Sequence, residues 1–209
     1  KPQPFFNILN ANGALIITAC GLSLVMITGS IDISVGGVVA LVSMSCAVYL
    51  DFMGGNVFVS LLIALGIGLA FGLVQGFLIA YLDIQPFIVT LAGMFFARGM
   101  TTIVHTDPFN VANESFVKLK DTRVIVPGMG SVNRIGKYVD AYVEIGVVVA
   151  IIIVVIMFVM LKWTKLGRSF YAVGGNRQSA LMLGINVKRT RFIAHLLSGL
   201  LAGIAGYVY

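Results

Sequence analysis

The chain has 209 residues, 59% of them hydrophobic and 11% charged; its mean hydropathy is +1.01. A soluble domain carries about a quarter charged residues. A chain this apolar would show large exposed patches in water, so the bilayer is the solvent that fits. The net charge of +6 is concentrated at loops, and a basic cytoplasmic face accounts for it without nucleic acid.

Six apolar segments are predicted, at 13–29, 35–50, 57–82, 86–104, 143–161 and 192–209, against a requirement of about 20 residues per span. Residues 29–37 read GSIDISVGG. This connection is either a tight turn between two spans or a broken helix inside the membrane, where freed backbone groups face a polar cavity. Asp32 within it can cap a helix beginning near Ser34 or, with Ser34, line a substrate path. Residues 51–56, DFMGGN, form a short turn. Gln75 lies mid-span in AFGLVQGFLIA, where a polar group faces protein or water rather than lipid, which makes it a further candidate for the substrate path. Residues 83–85 lead into Pro86, which suits the first turn of a helix. Arg98 snorkels to the outer interface.

Residues 105–142 form the longest polar segment, with Lys118, Lys120, Arg123, Arg134 and Lys137 against four acids. Val124–Val126 reads as a short strand, with Pro127-Gly128 as a turn after it. After the span at 143–161 comes a polar loop, 162–191, carrying Lys162, Lys165, Arg168, Arg177, Lys188, Arg189 and Arg191 with no Asp or Glu. It contains a short helix signal. Asn176 serves as N-cap, residues 177–183 are mostly helix formers, and Gly184 ends the helix in a left-handed conformation. Such a helix beside a membrane is suited to touching another protein; a solvated loop meeting anionic lipid is the alternative. If 162–191 is cytoplasmic, alternation puts 105–142 and 51–56 outside, and 83–85 and 30–34 inside. In the last span, His195 is expected to bond across helices.

No catalytic constellation is present. His105 and His195 lie far apart, there is no P-loop, and Cys20 and Cys46, both in apolar runs, offer neither metal-type spacing nor a disulfide framework. Any nucleotide that powers this chain is hydrolysed elsewhere. The chain starts at Lys1 without Met and stops at Tyr209 inside an apolar run, so it reads as a piece of a longer protein, a single transmembrane domain incomplete at both ends.

Three stretches carry a resemblance. They are GLSLVMITGSIDISVGGVVAL at 21–41, IQPFIVTLAGMFFARGMTTI at 84–103 and TKLGRSFYAVGGNRQSALMLGINVKRTRF at 164–192. Together they resemble the membrane permeases of bacterial ABC importers for ribose, xylose, arabinose and galactose; branched-chain amino-acid permeases are similar at greater distance. The resemblance implies an all-α polytopic helical bundle of BtuC-like type II architecture, with about ten spans, in the bacterial cytoplasmic (inner) membrane. It implies a pore completed by a second permease copy or homologue, and a periplasmic or lipid-anchored sugar-binding protein. It also implies an ATPase partner that holds ATP and Mg, no cofactor being bound by this chain. A short coupling helix docking on that ATPase would be carried by Gly175, Asn176, Arg177, Ser179, Ala180, Leu181, Gly184 and Ile185. An ion-coupled secondary transporter and a non-transporting scaffold are the competing readings. Intramembrane acids would favour the transporter, and an ATPase that co-purifies would exclude the scaffold.

Overall fold

The computed structural model describes residues 3–107, 109, 111–132 and 138–209; Arg134 and Lys137 of the 105–142 segment lie outside the described residues. Among the described residues, six helices are long and apolar enough to cross a membrane. They are α1 (Gln3–Ile27), α2 (Val35–Phe52), α3 (Val57–Ala80), α4 (Pro86–Val104), α6 (Ile145–Trp163) and α9 (Val187–Val208). Three short helices intervene: α5 (Glu114–Lys120), α7 (Lys165–Gly175) and α8 (Arg177–Met182). Strands β1 (Arg123–Val132) and β2 (Tyr138–Glu144) form an antiparallel pair leading directly into α6. The polytopic helical bundle stands, with this hairpin added to it.

α9 is the most buried of the six spans and packs on α3, α1 and α2. Its closest neighbour is α3, and glycine makes the approach possible. A Cβ on Gly72 would lie 2.9 Å from His195 O, and one on Gly203 2.6 Å from Ala64 O. A Cβ on Gly68 would run into Gly199 O. Helices in lipid gain little from hydrophobic transfer between themselves, so contact this close supplies the van der Waals attraction instead.

Three departures from the expected elements exceed two residues. α1 begins at Gln3 rather than at residue 13, because its polar first turns grip the hairpin. Gln3 Oε1 accepts from Tyr142 N at 3.1 Å, and Asn10 Oδ1 from Glu144 N at 3.1 Å. α9 begins at Val187, where Asn186 Oδ1 caps it by accepting from Arg189 N at 2.9 Å. Arg191, expected in the loop, is therefore inside a helix, and it is 4% exposed. Pro127-Gly128 is no turn: β1 runs through it, and the pairing register slips between Val126 and Gly130. Pro86 does stand in the first turn of α4.

The connections sort into two faces. On one, Asp51 accepts from Ala112 N at 2.8 Å and from Asn113 N at 2.9 Å, tying the α2–α3 turn to the 105–142 segment, beside the hairpin and the start of α1. On the other lie residues 28–34, the α3–α4 turn, α7 and α8. There Arg191 Nη1 donates to Asp83 Oδ1 at 3.2 Å.

Candidate functional site

Two groups of residues carry the functional expectations, and the structure joins them. The first is the connection between α1 and α2. Gly29 (φ 74) ends α1 in the left-handed region. Gly29 N donates to Met26 O at 3.0 Å, and Ser30 N to Val25 O at 3.2 Å, closing the last turn. The chain then runs inward. Thr28, Ser30, Asp32 and Ser34 are buried while Gly29 and Ile31 between them are exposed. α1 and α2 are two separate spans, as the tight-turn reading requires, yet the joint buries its polar side chains.

Asp32 is 7% exposed. Its Oδ1 accepts from Ser34 N at 3.0 Å and from Ser34 Oγ at 2.7 Å; its Oδ2 accepts from Ser198 Oγ of α9 at 3.1 Å. Gln75 of α3 completes the group, with its amide 3.1 Å from Ser34 Oγ. One hydroxyl proton serves one acceptor, and the carboxylate at the shorter distance takes it. The amide therefore satisfies Ser34 best by presenting its NH2, which a half-turn about the last torsion allows. The other amide end is pressed on Gly93 of α4, where a Cβ would collide with it. Asp32, Ser34 and Gln75, widely separated in sequence, thus form one buried cluster joining the α1–α2 connection, α3, α4 and α9.

Ser198 is the member that sequence reasoning missed. The signal was present, since Arg191, His195 and Ser198 follow a helical i, i+4, i+7 stripe on α9. His195, 1% exposed, does not bond across helices. Its Nδ1–H donates within α9 to Arg191 O at 2.9 Å. Among the described residues Nε2 of His195 and Nε of Arg191 have no partner. Arg98 is exposed on α4, in keeping with snorkelling.

The second group is α7 with α8. α7 was not foreseen. Thr164 Oγ1 caps it by accepting from Gly167 N at 3.1 Å, and Leu166, Phe170 and Val173 form its inner stripe. α8 has the expected ends. Asn176 Oδ1 accepts from Ser179 N at 2.9 Å. Gly184 has φ 77; its N–H donates to Leu181 O at 3.0 Å, and Ile185 N donates to Ala180 O at 3.0 Å. This paired closure satisfies the last carbonyls. Ala180 faces inward, 1% exposed, against Val173 and Val187. The outer surface belongs to Leu181 (59% exposed) and to Met182 and Leu183, which the sequence reading did not single out. Gly175 and Arg177 are also exposed.

Gly174 links the two groups. Its Cα sits so close to the end of α1 that a Cβ would occupy the Ile27 carbonyl oxygen. α7 therefore bears on the last residue before the buried connection that holds Asp32.

The six spans and the capped helix α8 set the frame for comparison. Residues 5–209 match the family described as branched-chain amino acid transport system / permease component. The chain belongs to that family. Sugar permeases are among the relatives it is similar to. It is 38% identical to the fructose import permease protein FruG of Bifidobacterium longum, over 93% of this chain and 56% of that one. It is 36% identical to the ribose import permease protein RbsC of Escherichia coli, over 97% of this chain and 60% of that one. The inner membrane ABC transporter permease protein YjfF of Escherichia coli is 34% identical, over 97% of this chain and 58% of that one. The chain spans little more than half the length of these relatives. No solved structure matches it.

Proposed function

We propose that this chain is part of the pore-forming subunit of an ATP-driven importer that moves a monosaccharide, a ribose-type pentose or a hexose, across the bacterial inner membrane. ATP and Mg reside in a separate ATPase. A second permease copy or homologue completes the pore, and a periplasmic or lipid-anchored binding protein delivers the sugar. The observation that carries this reading is α8. A six-residue helix, capped at both ends and rooted through Ala180, offers Leu181, Met182 and Leu183 outward. An isolated helix this short does not hold itself together in water, and exposed apolar side chains outside the spans mark a protein contact. The ATPase is that contact, and Gly175, Asn176, Arg177, Ser179, Ala180, Leu181, Gly184 and Ile185 build the element that meets it.

Coupling follows from rigidity. When the ATPase dimer closes, α8 moves with it, and α7 passes the displacement to the end of α1 through Gly174. The α1–α2 connection then shifts, and the Asp32–Ser34–Gln75 cluster, which borders the substrate pathway, opens or closes. The fructose and ribose permeases among the relatives favour sugar; the family description also allows a branched-chain amino acid.

The test is reconstitution of the full-length permease with its ATPase and binding protein, using labelled ribose, fructose and leucine. Uptake of a sugar should require ATP and persist when a protonophore collapses the proton gradient. Uptake driven by an ion gradient without the ATPase would overturn the mechanism. ATP-driven uptake of leucine alone would overturn the solute class.

A further inference from the structure

We propose that the groove between α1 and α6 is a binding site for one anionic phospholipid, with an acyl chain along the groove and the phosphate at Lys162. A cavity of about 370 Å³ runs between these two spans, walled by Ile16, Ala19 and Ser23 of α1 and by Val154, Phe158 and Leu161 of α6. Its lining is almost wholly apolar, and it opens outward.

The charge at its end fixes the occupant. Lys162 Nζ sits 5.3 Å from the ring centroid of Phe158, a groove wall, and 5.4 Å from that of Trp163. The ammonium is thus held against the ring of a groove wall rather than swung away into water. Lys165 and Arg168 follow on α7, whose first turn is wedged against α6: a Cβ on Gly167 would run into Leu161 O. Among the described residues no salt bridge neutralises Lys162, Lys165 or Arg168. α1 contains no acid, and residues 145–209 hold no Asp or Glu. On this face Asp83 bonds Arg191 and Asp32 is buried. Among the described residues no carboxylate pairs with Lys162.

The occupant must therefore bring an anion to Lys162 and an apolar chain to the groove. A cytosolic protein supplies the first but does not reach between two spans. An apolar helix, whether of a second permease or of the full-length protein outside these residues, supplies only the second. An anionic phospholipid supplies both.

The test uses the full-length permease in nanodiscs of equal phosphatidylglycerol and phosphatidylcholine, followed by detergent extraction and native mass spectrometry of the retained lipid. The parent should keep phosphatidylglycerol preferentially. Lys162→Gln should lower its retention about fivefold, the effect of one surface charge on an anionic lipid. Ala19→Phe or Ser23→Phe, both at exposed positions, should fill the groove and abolish retention with Lys162 intact. The pair Lys188→Gln and Arg189→Gln, away from the groove, should change nothing. Equal loss in that control would show attraction to a basic face and no site. Retention surviving both groove-filling variants would overturn the proposal as well.

Discussion

Both oxygens of Asp32 are engaged by the chain itself, one by Ser34 and one by Ser198. The residue therefore fastens the α1–α2 connection to α9, while the amide of Gln75 stands at the edge of the cluster. Asp32→Ala would leave the Ser34 amide, the Ser34 hydroxyl and the Ser198 hydroxyl buried without this acceptor, at about 1–3 kcal/mol for an orphaned group. The thermal transition of the purified full-length permease should fall clearly for Asp32→Ala and less for Asp32→Asn, which keeps an acceptor. Equal transitions in all three proteins would refute the cluster. Sequence spacing singled out Asp32, Ser34 and Gln75 as polar groups in apolar surroundings, since burying such groups is costly without partners. It did not bring them together, because contact between residues 34 and 75 is decided by how α3 packs. Ser198 was passed over because serine is common in spans and its partner lies 166 positions away.

At the scale of elements, α8 was legible and α7 was not. An N-cap asparagine and a terminal glycine are local signals read from a few residues. The inner stripe of α7 is interrupted by Gly167, Gly174 and Gly175, which resemble loop punctuation. In the fold Gly167 and Gly174 serve close approach to α6 and α1 instead. Three predictions separate the roles of the elements. Asn176→Ala loosens the helix start and should cost about 0.5–2 kcal/mol, with mild loss of uptake. Leu181→Asp combined with Met182→Asp should abolish association with the ATPase, measured by co-purification, while expression and thermal stability hold. Retained association in that double variant would place the ATPase elsewhere. Gly174→Val should leave association intact and lower uptake per ATP hydrolysed, because α7 can no longer seat on Ile27. The α3–α9 contact gives a further prediction from one residue type on one helix. Gly68→Leu should prevent accumulation of folded protein, since its Cβ has no room. Gly66→Leu should be tolerated, as its Cβ would meet nothing within 4 Å. Equal tolerance at both positions would show that α3 and α9 do not pack this closely.

For the whole molecule, composition alone specified the bilayer and the approximate spans, and the six helices follow the predicted segments with shifted ends. The arrangement of loops is the stronger result, because it was never encoded in any one stretch. Alternation requires 51–56 and 105–142 to share a side, and Asp51 bonds Ala112 and Asn113. It requires 30–34, 83–85 and 162–191 to share the other, and Gly174 meets Ile27 while Asp83 meets Arg191. Which side is cytoplasmic rests on charge. The 162–191 stretch holds seven Lys or Arg and no acid, and the burial of Arg191 removes one cation from the exposed set without reversing the sign. Basic loops are retained in the cytoplasm, so α8 should face it. Lys120 and Lys188 are both exposed and lie on opposite faces. In a Cys20→Ala, Cys46→Ala background, Lys120→Cys should react with an impermeant thiol reagent added to intact spheroplasts. Lys188→Cys should react only after the membrane is permeabilised. The reverse pattern would put α8 on the side without ATP and end the coupling proposal, whereas labelling of both positions in intact cells would break the two-faced arrangement of the bundle itself.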